Sequence, residues 1–299
     1  MSAPLVSVVI PAFNAERWVP AALESVLAQD YAPLEVIVVD DGSKDGTGAA
    51  VARFGDRVRY VRQANSGVCQ ARNRGAREAR GKLVAFLDAD DVWLPGKLKA
   101  QAARFAARPG LATCFTGTVA FDEATGRETL LAYRLSPDLV ADLLLHCTII
   151  GNSSTVMVRR EVFERVGGFD PALSNCADWD MWIRLAGAGP VDLVPEPYVR
   201  YRLHHGSMST SVRLLEKDTL TLLEKFFSDP ANAVRYAGIR RDVFANQFLV
   251  LSGSHLHAGN VAASLRFLAL ACRARPSAAL TALGLPWRTA RRLLSGQLL

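Results

Sequence analysis

Within the first ninety residues, four short runs of β-branched and aliphatic residues alternate with stretches of helical periodicity. The runs are Leu5 to Ile10, Leu34 to Val39, Val58 to Val61 and Leu83 to Leu87; the helical stretches fall near 16–28, 45–53 and 67–79. In the last of these Val68, Ala71, Gly75 and Ala79 share one face. Strands separated by single helices run parallel, and right-handed crossovers stack such units into one Rossmann-type sheet. Ligands of these sheets bind beyond the carboxyl ends of the strands. Those ends are where the polar clusters fall: Pro11-Ala12-Phe13-Asn14, Asp40-Asp41-Gly42-Ser43, Asn65-Ser66-Gly67 and Asp88-Ala89-Asp90-Asp91. All four would lie along one edge.

A chain of 299 residues, 50% of them hydrophobic, can bury a large core, and one main domain with an appendage is the expectation. Beyond residue 110 the pattern is mixed. It holds a strand over 111–121, a turn at Glu123 to Gly126, a helix near 138–146, a strand at Thr155 to Val158, a helix from Asp178 and an extended stretch at Tyr198 to Leu203. From about 213 onward it reads as helical, so the domains are taken as 1–212 and 213–299. The five scattered cysteines form no C-x-x-C pair, which fits free thiols in a reducing compartment. The start of the chain lacks a secretory signal pattern, and the longest stretch without Asp, Glu, Lys or Arg, 243–265, is interrupted by polar residues. A cytoplasmic protein without a spanning helix is expected.

An Asp-x-Asp turn at a strand end projects two carboxylates into one small volume, and Asp91 adds a third. Such a cluster can hold a cation against a diphosphate. It can equally cap the helix that begins near Pro95. The segment Gly81-Lys82-Leu83-Val84-Ala85-Phe86-Leu87-Asp88-Ala89-Asp90-Asp91-Val92-Trp93 resembles the metal-binding segment of family 2 glycosyltransferases. VSVVIPAFNAERWVPAALESVLAQDY and VIVVDDGSKDGT are similar to the opening motifs of that family, and the likeness runs from about residue 5 to 210. The resemblance implies a GT-A-like α/β fold, with a mostly parallel central sheet followed by a helical C-terminal region. It also implies transfer of a sugar, with inversion, from a nucleoside-diphosphate sugar to an acceptor hydroxyl, assisted by a divalent cation, Mn²⁺ or Mg²⁺.

By that resemblance Pro11, Ala12, Phe13 and Glu16 line the nucleotide pocket, Asp40 meets the base, Arg72 of the A-R-N segment helps hold the nucleotide, and Asp88 faces the ribose. Asp90 is the metal ligand, with Asp91 in reserve, because spacing alone does not separate the two. Gly167-Gly168-Phe169-Asp170, followed by Cys176-Ala177-Asp178-Trp179-Asp180, resembles the acceptor-side motif, which puts Asp178 at the catalytic base and leaves Asp180 in reserve. Ala177 departs from that motif, which commonly has glutamate there, and puts a supporting acceptor contact in doubt. Tyr201-Arg202-Leu203-His204-His205-Gly206-Ser207 resembles a segment whose first histidine completes the cation's shell or touches the diphosphate, which points to His204 before His205.

The residues themselves leave other readings open. Asp40 could be a turn acid, Arg72 one of several solvated arginines, Asp178 an N-cap and His204 an exposed loop residue. Trp93, Trp179 and Trp182 could stack on sugars or fill core. His255 and His257, two apart on a helix, do not make a metal pair.

Charge is concentrated at the end of the chain. Residues 231–299 carry nine arginines and one acid, a net +8, whereas 1–230 are close to neutral. Arg266, Arg273, Arg275, Arg288, Arg291 and Arg292 are interleaved with leucines, Phe267 and Trp287. Such a surface can lie peripherally on the anionic inner face of a membrane and bring the enzyme to a lipid-linked or other glycan acceptor; the resemblance to family 2 glycosyltransferases implies bacterial polysaccharide or lipopolysaccharide assembly. It can equally be a helical subdomain with solvated arginines. No recognition motif supports nucleic acid as a partner. Two alternatives share the sheet and the carboxylates: a nucleotidyltransferase, which releases pyrophosphate, and a non-catalytic nucleotide-sugar-binding protein.

Overall fold

The computed structural model describes residues 3–146, 151–204 and 211–282. His205, Gly206, Ser207, Cys147 and the end of the tail, with Arg288, Arg291, Arg292 and Trp287, lie outside the described residues. The chain divides into two compact units. The first comprises Met1–Leu139 and Ile149–Ser207, the second Val140–Thr148 and Met208–Leu299.

In the first unit, β1 (Val6–Ala12), β2 (Leu34–Asp40), β3 (Arg59–Arg62) and β4 (Leu83–Phe86) form the parallel part of a sheet in the order β3-β2-β1-β4. All seven residues of β1 are buried, as a strand covered on both faces requires, and its run of Val and Ile meets that need. Between these strands run α1 (Val19–Leu27), α2 (Thr47–Ala52) and α3 (Val68–Glu78). The helix α3 lies close on β1 and β2 because Gly75 has no side chain: a Cβ there would come within 2.2 Å of Val9 Cγ1. The chain passes from β1 outward to β2 and β3, then returns to place β4 on the other side of β1. That reversal is the switch point at which open α/β sheets leave a crevice.

The sheet continues through strands whose pairing is long-range. β8 (Met157–Arg159) runs antiparallel to β4, β6 (Thr113–Asp122) antiparallel to β8, and β9 (Val191–Leu203) parallel to β6. β5 (Val92–Trp93) pairs antiparallel with β9 at the far edge, and β7 (Glu128–Leu131) with β6. The helix α4 (Lys97–Ala107) follows β5, and Gln29 Oε1 accepts from Leu98 N at 3.3 Å, filling one of the amide positions that a helix start leaves open. A single 3₁₀ turn, Ser153–Thr155, leads into β8, where sequence pattern alone suggests strand from Thr155. After α6 (Arg160–Arg165), α7 (Ala177–Ala188) begins at the expected place.

The second unit contains α5 (Leu139–His146), α8 (Val212–Ser228), α9 (Pro230–Arg235), α10 (Arg240–His257), α11 (Val261–Ala274) and α12 (Ala278–Ala282). It thus draws in a segment that precedes the 212/213 boundary. Asn246 and Gln247 on α10 donate to Leu145 O at 2.9 Å and Leu144 O at 3.0 Å, satisfying carbonyls at the end of α5. Phe248 packs on Phe267, and His255 stacks on the same ring at 5.5 Å while sharing a hydrogen bond with Glu216. The outward side of α11 exposes Val261 and Leu265, 55% and 60% accessible, which separates this helix from an ordinary solvated one. Among the described residues no helix is long and apolar enough to cross a membrane.

Candidate active site

The carboxyl ends of β1, β2 and β3 are tied into one ledge. Asp41 N donates to Ala12 O at 2.8 Å, and Asn14 N to Ser43 Oγ at 2.9 Å. Pro11 and Ala12 are buried within β1, so side-chain contact at this end falls to Phe13, which is half exposed. Glu16 accepts from Gly46 N and stays at the exposed rim. Asp40 is almost fully buried: it accepts from Ser43 N at 2.7 Å and from the Tyr60 hydroxyl, with Arg62 alongside. Burial pushes its carboxyl up, but these donors and the Arg62 charge outweigh it and hold the group below its ordinary value. Asp41 caps the start of α3, accepting from Ser66 N at 2.9 Å and Gly67 N at 2.8 Å. It carries the loop that presents α3 to the crevice.

One turn into that helix, Arg72 points inward. Its side chain is only 6% exposed, which removes the solvated-arginine reading. Nη2 donates to Asp88 Oδ1 at 2.7 Å and Nη1 to Asp178 Oδ1 at 3.2 Å, with the guanidinium 5.0 Å from the Phe169 ring centroid. Despite burial, the two carboxylates hold Arg72 firmly protonated. Its buried Nε has no acceptor among the described residues.

Next to it, Asn73 donates to Phe169 O at 2.7 Å and accepts from Phe169 N at 2.8 Å, pinning the Gly167 to Asp170 loop. Gly168 is obligatory there: its φ is +71°, and a Cβ would meet Asn73 Oδ1 at 2.5 Å. The A-R-N segment thus does two jobs, Arg72 bridging carboxylates and Asn73 fixing the loop before α7.

Asp178 lies in the first turn of α7 with a quarter of its side chain exposed. Ser153 grips it twice, N to Oδ2 at 2.9 Å and Oγ to Oδ1 at 2.6 Å. Burial raises the carboxyl above its ordinary value; Arg72 opposes this, Asp88 adds to it, and the two Ser153 donors oppose it again. The net rise makes Asp178 a better proton acceptor than a free aspartate. Asp180, two residues on, is held by Arg184, whose Nη1 also donates to Val166 O and Gly168 O. It serves the loop, and its place across the helix does not bring it to Arg72.

After β4, the three aspartates part ways. Asp88 N donates to Ser154 Oγ at 3.0 Å, and its carboxylate takes Arg72. Asp91 is 1% exposed, with Oδ1 accepting from Arg202 N at 3.0 Å and Oδ2 from Ser154 Oγ at 2.5 Å. Both of its oxygens are engaged in joining this turn to β9. Asp90 remains, its Oδ2 3.0 Å from His204 Nε2, and the His204 ring lies on Trp18 with centroids 4.6 Å apart. Burial and then Asp88 raise Asp90, with His204 working against them. The raised Asp90 carboxyl lies beside a second acid and an imidazole, a set of groups that a cation would suit. Among the described residues no group of three or more protein ligands occurs. A carboxylate and an imidazole fit a metal whose remaining positions are filled by phosphate oxygens and water.

Sequence reasoning missed Ser153 and Ser154, the turn that clamps Asp178, Asp88 and Asp91 together. Their only sequence signal is the polar run Asn152-Ser153-Ser154-Thr155 between apolar stretches. It also missed Tyr60, Asn73 and Trp18 as partners. The three tryptophans Trp93, Trp179 and Trp182 are all core, no more than 5% exposed.

Comparison with known proteins bears on the family and the fold. The model of "Glycosyl transferase family 2" matches residues 7–167. An uncharacterized glycosyltransferase of Rickettsia prowazekii is 30% identical over 72% of this chain and 69% of its own. The putative teichuronic acid biosynthesis glycosyltransferase TuaG of Bacillus subtilis is 33% identical over 70% of this chain and 82% of its own. The crystal structure of S. aureus TarS 1-349 superposes with a TM-score of 0.65 at 17% identity, covering 98% of this chain and 92% of that one. A mannosyltransferase of Pyrobaculum calidifontis, solved in complex with GDP-Man and Mn2+, gives a TM-score of 0.56 at 24% identity over 98% and 81% of the two chains. With its GT-A-like fold, the chain belongs to glycosyl transferase family 2.

Proposed function

We propose that this glycosyltransferase moves a sugar, with inversion, from a nucleoside-diphosphate sugar to an acceptor hydroxyl, and that Asp178 takes the acceptor proton. The observation that carries this reading is the Arg72 bridge: one buried guanidinium holds both Asp88, read as the donor-side group, and Asp178, read as the acceptor-side group. A nucleophilic hydroxyl and a departing diphosphate must be addressed from opposite sides of one anomeric carbon, and the bridge fixes two such groups relative to each other. The raised Asp178 carboxyl suits proton removal as the hydroxyl attacks. No covalent enzyme intermediate is required.

The nucleotide would lie on the ledge formed by β1 to β3, with the base against Phe13 and Asp40, Glu16 at the rim, the ribose at Asp88 and Arg72 beneath. Asp90 and His204 would hold a divalent cation, Mn²⁺ or Mg²⁺, which when bound neutralises the negative charge of the leaving diphosphate. S. aureus TarS has been solved in complex with UDP-GlcNAc, and the Pyrobaculum enzyme with GDP-Man and Mn2+. These complexes support a nucleotide-sugar donor and a metal for this chain too.

For the acceptor, the kinship with TuaG supports a cell-envelope glycan, and a lipid-linked form fits the second unit. There the exposed Val261 and Leu265 share α11 with Arg273 and with Arg266, which pairs with Glu216 and lies over the Phe267 ring. That combination suits peripheral binding to an anionic leaflet.

The test is product analysis. With each of a panel of nucleoside-diphosphate sugars and Mn²⁺, the wild type should release nucleoside diphosphate and, in slow transfer to water, sugar of inverted configuration by NMR. Release of pyrophosphate from nucleoside triphosphates, or retained configuration, would contradict the proposal.

A further inference from the structure

Beneath the turn that clamps Asp178 lies a buried polar group that the chemistry above does not use. Lys97, on the first turn of α4, is 0% exposed, as is Gln101 one turn later. Lys97 Nζ donates to Gln101 Oε1 at 2.8 Å and sits 4.0 Å from the Trp93 ring centroid. Among the described residues no carboxylate pairs with it. The amide of Gln101 then has its NH₂ end facing away from the lysine, and Nε2 donates to two main-chain carbonyls, Cys114 O at 2.6 Å on β6 and Thr155 O at 2.9 Å in the 3₁₀ turn. Trp93 Nε1 donates to the neighbouring Ser154 O at 2.8 Å.

Two consecutive carbonyls of the turn are thus fixed from below, by side chains reaching from α4 and β5. Above, the same turn delivers Ser153 N and Oγ to Asp178 and Ser154 Oγ to Asp88 N. A primary amide offers an acceptor at one end and donors at the other, and only its surroundings decide which end points where. As an ammonium Lys97 can only donate and admits only Oε1 on its side, and the two carbonyls, which can only accept, admit only Nε2 on theirs. Burial pushes the Lys97 ammonium down to about 7; the neutral amine can still donate to Oε1, and the two carbonyls hold the amide in the same orientation through that titration.

We propose that Gln101, oriented by Lys97, is a positioning residue for the proton acceptor of the transfer reaction, acting through the main chain of Ser154 and Thr155 on the Ser153 grip of Asp178. The proposal rests on the reading of Asp178 as the base. Gln101 touches no substrate. Its effect is to hold the donors that set both where the Asp178 carboxylate stands and how readily it ionises. A purely structural Gln101 would matter only for folding. A positioning Gln101 has a separate signature: loosening the turn weakens two hydrogen bonds to ionised Asp178, its pKa climbs, and the acid limb of the rate profile moves to higher pH.

Gln101→Glu separates the two. It keeps the acceptor for Lys97, as an ion pair, but removes both N–H donors to the carbonyls. Using the nucleoside-diphosphate sugar that gives the largest melting shift, with Mn²⁺, the rate of nucleoside diphosphate release and its pH profile would be measured. Expected are a folded protein with an unchanged donor-induced melting shift, a rate about ten- to hundred-fold lower, and an acid limb at higher pH. Lys97→Met, which removes the donor that holds Gln101 Oε1, should move the limb the same way by less, and it decides the matter should Gln101→Glu not fold. An acid limb at the wild-type position in whichever of the two folds overturns the proposal. Asp178→Asn runs alongside: undiminished release by that variant would instead remove the base assignment.

Discussion

Arg72 Nη1 lies 3.2 Å from Asp178 Oδ1, although 106 positions separate the two residues in sequence. The contact joins a helix of the parallel half of the sheet to one that follows the antiparallel half, and Arg72 reaches Asp88 from the same guanidinium. Removing it leaves two carboxylates that face one another without a shared cation. Arg72→Met should therefore destabilise the first unit by about 3 kcal/mol, the lower range for breaking a buried pair, read as a lower denaturant midpoint. A midpoint within error of wild type would show the bridge to be dispensable.

Asp178 as general base makes a quantitative demand. Asp178→Asn preserves shape and loses the proton acceptor, so turnover should fall by about 10²- to 10⁴-fold while the donor-induced melting shift persists. Equal loss of donor binding would place Asp178 in donor recognition instead.

The pH dependence follows from the direction of the Asp178 shift. Its folded carboxyl is raised above the ordinary 3.8 by burial, and it works as a base only when ionised. Activity should fall as pH drops through that raised value, with the acid limb above 3.8. For stability the sign is the reverse of a salt-bridged aspartate. The protonated folded form is favoured, so the Asp178 contribution is fully present below 3.8 and lost as pH rises through the folded value. Asp178→Asn should flatten that part of the stability profile, which denaturant melts at a series of pH values would show.

The proposed membrane contact rests on α11. Full-length protein should float with liposomes containing anionic lipid, and less so at high salt. Leu265→Asp with Arg273→Glu should reduce flotation at least several-fold. A double variant that floats like wild type would leave the exposed apolar side of α11 without this role.

The parallel half of the fold was legible because strands covered on both faces need unbroken apolar runs, and β1, β2 and β4 supply them. The antiparallel half was less so. β5 has two residues and nothing local marks it, while β8 shows in the pattern as a strand from Thr155 but is three residues long, Met157–Arg159, with partners far away in sequence. For the site, the resemblance divides the strand-end acids, but spacing alone does not separate Asp90 from Asp91. Asp90 and Asp91 are neighbours, yet one meets His204 and the other is consumed by Ser154 and Arg202. Asp178 and Asp180 share a helix turn but point to different sides, as residues two apart must. Ser153 and Ser154 passed unnoticed because hydroxyls in a loop look alike until folding gives them carboxylates to hold.

The most direct measurement is thermal melting with the panel of nucleoside-diphosphate sugars, with and without Mn²⁺, for wild type, Asp90→Ala and Asp178→Asn. Ligand-dependent stabilisation follows affinity by mass action. A site centred on Asp90, with Asp178 across the anomeric carbon, predicts a Mn²⁺-dependent shift by at least one donor in wild type and Asp178→Asn, and its loss in Asp90→Ala. No shift with any donor, or an Asp90→Ala variant that shifts as much as wild type, would contradict it.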